Sequence, residues 1–544
     1  MKKKIIIISI LTIILTITLL TLQNILFKKS TDITLTNIQD NLYKVVNTST
    51  LSTFDLEYQQ IVDQEIQKLL SPKYTMENPL MILNPYGTNT LGLNIYFTSN
   101  EELQISYTVS VDKKTIPDFS QTLKNEGQDN FAKDHQYQII GLVLGEINNL
   151  NLVGTNRNGE NIECNFQIDM TVVDWEEEVS LRYLNGESKQ PLADGLFVHF
   201  RSEEPNNIYD NEGILRASLP LAYAECHRIL FYNDNLYYKI DENVIAVVNR
   251  LGKIINKYEV PTHRIHHDYI LDAKNEKIIA LTTGYSEQDT RVGDMLVFLD
   301  MKTGNLEKVI DMKDLLPEMY EIAEKSIGDQ LAVTIQGIDW MHLNSITLVE
   351  GKNDIIISSR ETSSIIYLQN IYEDISVKYI ISEKAVYENT EYEGLVYKKI
   401  GDFVSQASQH TVEYISDSSL KEGQYYLIMF NNNFGENYSR KDFPWNKYPG
   451  AGTYVDGEKS MYYKYLVDEN AKTYELVEAI DVYYSSTVSS VQIVGENLII
   501  DSGNMKMYEE YDKNNVLIKA FQLPHDGYGA YRVFKYDFKG IWFK

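Results

Sequence analysis

Cysteine is nearly absent from this sequence: Cys164 and Cys226 are the only two in 544 residues. Neither has a CxxC or Cys/His spacing, which excludes a zinc ribbon and a disulfide-dense scaffold. A single disulfide between them depends on their separation in the fold. Proline is scarce, at 12. Basic residues are outnumbered, 50 Lys and Arg against 77 Asp and Glu, for a net charge of -27. That balance opposes attraction to phosphate backbones, so nucleic acid is not expected as a partner. Tyrosine, in contrast, is abundant: 40 residues beside 18 Phe and 4 Trp, a profile suited to pleated, half-buried surfaces.

Charge is also missing from Ile5 to Phe27, a run of 23 residues behind Lys2, Lys3 and Lys4. Its length suits a membrane span better than the 7–15 apolar residues of a signal-peptide core, and no A-x-A-like cleavage site follows. Residues 1–29 are therefore expected to be an uncleaved signal anchor, a transmembrane helix with its N-terminus inside and the rest of the chain outside the cytoplasm. Taking away the five lysines of this segment leaves -32 on the exported part.

Phe54, Tyr58, Ile61, Val62, Ile66, Leu69 and Leu70 recur at helical spacing and stop at Pro72. An amphipathic helix of about four turns is predicted within a linker spanning 30–74. Residues 75–174 read as short alternating strands separated by Asn, Gly and Asp turns, which suits a small β-sandwich. From 175 to 544 one type of segment keeps returning: an apolar strand, a polar turn, a second apolar strand, as in LYYKIDENVIAVVNRLGKIINKYEV. At about 60 residues per unit this predicts a six-bladed β-propeller. The fold class is all-β.

Histidine is scarce too, nine in all. Yet THRIHHDY gathers His263, His266 and His267, and His342 and His410 head the next two predicted blades. Equivalent positions of successive blades lie at one height around a central channel, so three imidazoles would converge there. The plainer reading, in which each blade-start histidine satisfies local backbone groups, weighs about equally. Arg360 follows His342 by one hairpin and would add a fork for a tetrahedral oxyanion, unless it only balances Glu361 at the surface. Zinc or copper on three imidazoles ranks lower, because Arg360 is an awkward neighbour for a cation.

DWMHLNSITLVEGKNDIIISSR, the HHD of His266 to Asp268, Gln409-His410 followed by YYLIMFNNNFG, and NPYGTN at Asn84 to Asn89 together resemble bacterial arylsulfate sulfotransferases. The resemblance runs from about residue 75 to the C-terminus. It implies a small β-sandwich-like domain before a six-bladed propeller with its active site in the channel. It also implies transfer of a sulfuryl group from an aryl sulfate donor to a phenolic acceptor without nucleotide donor or cofactor. His410 then matches the transiently sulfated nucleophile, His342, Asn344 and Arg360 match the anion-holding group, and one histidine of the HHD matches the remaining catalytic histidine. Strand alternation allows only one of that pair to face the channel; register selects His267, with His266 in reserve.

One position departs from the pattern. Thr411 stands where the family commonly has Asp after the nucleophile, and Glu413 would replace that carboxylate only by reaching back. Thr411 motivates a second expectation, an inactive surface propeller that binds a ligand or partner protein. A metal-dependent propeller hydrolase or oxidase is a third, and a homo-oligomer stays open.

Overall fold

The computed structural model describes residues 32–544 except 72, 172, 174, 176–178, 202–204, 224, 286–289, 324–337, 436–438, 441–442, 449–458 and 524–528. The expected membrane segment lies outside the described residues. No helix among those described is long and apolar enough to cross a membrane. The chain divides into two compact units. One holds the residues up to Val173 with Val248–Asn256 and Lys539–Lys544; the other holds Asp174–Val247 and Lys257–Phe538.

The first unit is a β domain of eight strands in one continuous hydrogen-bonded network. Its long strand Leu93–Ser110 serves two half-sheets. The N-terminal half pairs with Leu80–Leu83 and Ala132–Ile139, and after a register shift between Thr98 and Leu103 the remainder pairs with Ile147–Asn156 and Phe119–Thr122. Alternation in sequence becomes alternation in burial: Leu103, Ile105, Tyr107 and Val109 are buried and their neighbours are not. The predicted helix forms over Leu56–Leu69 and buries Tyr58, Ile61, Val62 and Ile66 against Ile33, Leu80, Ile82 and Tyr96. The stretch expected to be linker also contributes a hairpin, Ile33–Gln39 with Leu42–Asn47, whose second strand joins the sheet in parallel with Leu80–Leu83.

The second unit is a propeller of six sheets, antiparallel except where Lys398–Ile400 joins Thr473–Val482 in parallel at the edge of one of them. Five blades begin in chain order with the strands Ile229–Tyr232, His263–Asp272, Leu343–Leu348, His410–Ile415 and Ser490–Val494. The remaining blade is assembled from both ends of the unit. Its first strand is Arg532–Tyr536 from the C-terminal end, paired with Leu196–Phe200, which continues to Asn206–Tyr209 and Leu215–Leu219. A second tie lies in the last blade, where Arg182–Asn185 adds a fifth strand to Leu517–Gln522. Between blades the tyrosines find their use: one interface buries Tyr367, Tyr379, Tyr397, Tyr425, Tyr463, Tyr465 and Tyr474 together. Cys164 and Cys226 are both buried free thiols, so the disulfide does not form.

The first strands are tied by a buried ionic hub. Asp268 Oδ1 lies 2.7 Å from Arg228 Nε and 3.0 Å from Arg532 Nη1, and Arg228 Nη2 lies 2.7 Å from Glu413 Oε1. Backbone N–H groups of Tyr269 and Ile346 donate to the same Asp268 carboxylate at 3.0 and 3.2 Å, and Arg532 Nη2 donates to the Asn344 carbonyl at 2.7 Å. Burial alone would raise the Asp268 pKa. The two guanidiniums outweigh that and hold it below the usual carboxylate range. Removing one member of a buried ion pair strands its partner's charge, at about 3–5 kcal/mol. Asp268→Asn is therefore expected to lower the melting temperature clearly in a calorimetric scan, and an unchanged transition would contradict this account of the hub.

Candidate active site

Three blade-start histidines sit on irregular backbone. In His263–Asp272 the ladder skips between Ile265 and Tyr269, in Leu343–Leu348 between Leu343 and Ser345, and in His410–Ile415 between His410 and Glu413. His267, His342 and Thr411 each have positive φ, 51°, 47° and 53°, conformations that L-residues with side chains adopt at a cost of roughly 1–3 kcal/mol. A bulge re-aims side chains. Here the bulges turn the histidines toward one another.

The result is a ring. His267 lies 4.9 Å from His342, 6.2 Å from His227 and 5.5 Å from Tyr531, measured between ring centroids. Tyr531 stacks on His227 at 3.9 Å and meets His410 edge-on at 6.1 Å. His227 and Tyr531 precede the first strands of their own blades, as His342 does, so five of the six blades contribute a ring at one height. Neither residue was singled out from the sequence. The signal was there, since ECHRILFYN and AYRVFKY place His227 and Tyr531 just before an apolar strand.

His410 is the most tightly specified member. Its Nδ1 faces two oxygens, Asn432 Oδ1 at 2.7 Å and the Ser408 carbonyl at 3.0 Å. Asn432 Nδ2 is fixed in turn by donating to the carbonyls of Ser485 and Val488. Two acceptors at Nδ1 require the proton there, which leaves the lone pair on Nε2. Burial, reinforced by the charges of Arg360 and Arg532, pushes the His410 pKa down to about 3, so the ring is neutral at pH 7.

His266 and His267 touch each other, Nδ1 to Nδ1 at 2.7 Å, with their rings nearly perpendicular. Strand alternation, which would send them to opposite faces, does not operate inside the bulge. His267 joins the ring and His266 stands behind it, buried and held neutral with its pKa lowered to about 3, chiefly by burial. His342 Nδ1 lies 2.5 Å from Asp339 Oδ2, a carboxylate with a side-chain exposure of 1%.

Arg360 is buried, not a surface residue. Its backbone N–H donates to the His342 carbonyl at 3.2 Å, and Nη1 lies 3.2 Å from Glu361 Oε1. Its charge acts on both His410 and Tyr531, lowering their pKa values. Asn344 Nδ2 donates to the Gln409 carbonyl at 2.7 Å, fastening the histidine-bearing strand of the next blade. Thr411 Oγ1 donates to the Ser489 carbonyl at 3.1 Å. Glu413 does not reach back to His410; the hub engages it through Arg228. Arg228 and Glu413 also line a separate cavity of about 380 Å³ with Phe231, Phe534 and Tyr536, which the ring histidines do not reach. Among the described residues no group of three or more His, Cys, Asp or Glu is placed to hold a metal ion.

Family models match the chain over residues 181–527, for Arylsulfotransferase (ASST), and over residues 80–171, for the Arylsulfotransferase Ig-like domain. Comparison with curated proteins gives no match. Among solved structures the chain is similar to a putative 6-phosphogluconolactonase from Bacteroides fragilis, at 10% identity and TM-score 0.36 over 80% of this chain and 99% of that one. It is also similar to the WD40 domain of Toxoplasma gondii coronin, at 9% identity and TM-score 0.32 over 64% and 78%. Likeness at that level carries no functional argument.

The neutral histidines have a consequence for stability. Their folded pKa values lie below the unfolded value near 6.5, so from about pH 6.5 downward the unfolded chain takes up protons that the folded chain refuses. Stability is expected to fall as pH drops toward 3, by about 1.4 kcal/mol per pH unit for each such group. His410→Asn removes one of them, and its melting temperature should decline less steeply between pH 6.5 and 4 than that of the native chain.

Proposed function

This chain belongs to the arylsulfotransferase family and transfers sulfuryl groups from aryl sulfates to phenols, and on that premise we propose a ping-pong route through a sulfohistidine at His410. The observation that carries the reading is the tautomer of His410, fixed by Asn432 and Ser408 so that the Nε2 lone pair is the reactive one. Nε2 attacks sulfur, the bond from sulfur to the bridging oxygen breaks, and the phenolate departs with assistance from a proton held on a ring histidine. In the second half the acceptor oxygen attacks sulfur, the N–S bond breaks, and the phenol's proton returns to the ring.

Sulfuryl transfer, like phosphoryl transfer, needs charge held on the non-bridging oxygens more than strong acid–base chemistry. Arg360 supplies a cation beside His410. His342, held through Nδ1 by the Asp339 carboxylate, supplies a group of fixed orientation. Tyr531 offers an aromatic face for a phenol ring. Asn344 acts here by holding Gln409, and through it the start of the His410 strand. The uncharged run Ile5 to Phe27 supports an anchored form with the propeller outside the cytoplasm.

The test uses the full chain with 4-nitrophenyl sulfate and excess phenol. Nitrophenol release that depends on the acceptor, survives chelator and vanishes in His410→Asn is expected, together with a sulfuryl mass shift on the His410 peptide after brief exposure to donor alone. Absence of release with every phenol tried would favour the inactive, ligand-binding propeller instead. Asn432→Ala, which unties Nδ1, is expected to lower turnover roughly 10–100-fold with the fold intact by circular dichroism.

A further inference from the structure

The cavity of about 380 Å³ lies on the other side of the Asp268 hub from the ring. Four blades carry their first strands from the ring toward it: His227 precedes Arg228 and Phe231, His410 precedes Glu413 and Ile415, Tyr531 precedes Phe534 and Tyr536, and the fourth adds Ile493. Its size falls within the roughly 300–1,000 Å³ of small-molecule sites. The walls are apolar. Phe231 and Tyr536 meet at 5.4 Å between ring centroids, Phe534 lies against the Arg228 guanidinium at 5.2 Å, and Ile415, Ile428 and Ile493 complete the lining.

Its polar end is a single ion pair. Arg228 engages Asp268 through Nε and Nη2, and the same Nη2 meets Glu413 Oε1. Arg228 Nη1 and Glu413 Oε2 have no hydrogen bond to any described residue, and they sit on side chains that keep 15% and 23% exposure, whereas Asp268 and Arg532 behind them have none. The charges of the hub cancel, two guanidiniums against two carboxylates. A ligand bearing net charge would shed its hydration here without meeting a counter-charge. What the pair offers is one donor beside one acceptor. We propose that this cavity binds one uncharged arene whose polar head both donates and accepts a hydrogen bond, an aryl carboxamide or a phenol. A primary carboxamide accepts from Arg228 Nη1 at its oxygen and donates to Glu413 Oε2 from its nitrogen, and a phenol does both with one hydroxyl. The arene lies among the aromatic and aliphatic walls. An aryl sulfate is disfavoured by its charge, so this is not a second transfer site.

The probe is 2-naphthamide, which has no hydroxyl to accept a sulfuryl group. Calorimetric titration of the full chain at pH 7 should give one site. Affinity should fall by about tenfold or more for each of three relatives: 2-naphthoate, an anion; 2-naphthylmethylammonium, a cation; and N,N-dimethyl-2-naphthamide, which accepts but cannot donate. Excess 4-nitrophenyl sulfate should leave the affinity for 2-naphthamide unchanged. Ile493, 37% exposed at the rim, tolerates a larger side chain; Ile493→Trp narrows the mouth and should weaken binding about tenfold or more, with native circular dichroism. Absence of saturable binding overturns the proposal, as does equal affinity for any of the three relatives, displacement by the aryl sulfate, or undiminished binding in folded Ile493→Trp. The probe series and the displacement need no variant, so a misfolded Ile493→Trp leaves the decision to them. None of these measurements depends on turnover, so they stand whether or not His410 is sulfated.

Discussion

The carboxylate of Asp268 is the point on which the propeller's centre turns. Its side chain has no exposure and it binds two guanidiniums, Arg228 and Arg532, each from a different blade. Desolvating such a group is expensive, and it is tolerable only because its neighbours and two backbone N–H groups leave little of it unsatisfied. The geometric gain is large. Arg532 lies on the strand that closes the ring, Arg228 leads into the first strand of its blade, Glu413 belongs to the strand that carries His410, and the Asn344 carbonyl belongs to the strand that follows His342. Five blades are thus held at a common height by one network, and the aromatic ring of His227, His267, His342, His410 and Tyr531, one to three residues away along each strand, inherits that height.

Height alone does not aim a side chain. Regular strands would send neighbouring residues to opposite faces, and a ring built on them would present one residue in two. The bulges at His266–Asp268, Asn344 and Thr411–Val412 lift that restriction. Left-handed backbone at His267, His342 and Thr411 is the local strain that goes with it. Such strain persists where surrounding contacts over-determine it. Here the Asp339 pairing of His342 and the Asn432 pairing of His410 are those contacts. The same device in three consecutive blades explains why His266 and His267 touch.

Much of this could be read from the chain because the signals were local. LYYKIDENVIAVVNRLGKIINKYEV becomes the strands Asn235–Asp241, Val244–Asn249 and Ile254–Glu259, each bounded by the Asp-Glu-Asn or Leu-Gly turn that separates them in sequence. The shared register of His267, His342 and His410 was legible for the same reason. What escaped was non-local. Nothing near Arg182 announces pairing with residues over three hundred positions away, nor does Arg532–Tyr536 announce that it begins the first blade rather than the last. Asn432 lies 22 residues from His410, so its role as partner could not be seen from a position defined by adjacency, and Thr411 drew attention to the neighbouring position, whereas the group on Nδ1 is an amide from elsewhere. Arg360 likewise read as a choice between anion site and surface ion pair, whereas it is a buried arginine that touches Glu361 and still acts on His410.

The amide partner has chemical consequences. A carboxylate on Nδ1 would raise imidazole basicity and stabilise the cationic sulfo-imidazolium that attack creates. Burial disfavours the cationic ring; Asn432 is neutral, holds the tautomer and favours the cation through its hydrogen bond, without a carboxylate's charge, while Arg360 and Arg532 oppose positive charge there. A less basic imidazole is a weaker nucleophile, but it is also a better leaving group from sulfur, and a ping-pong transferase needs both steps at similar speed. In the proposed intermediate the N–S bond is therefore labile by construction. With donor and acceptor both phenols, the two half-reactions are near mirror images, and a nucleophile of modest basicity keeps the intermediate from becoming a trap.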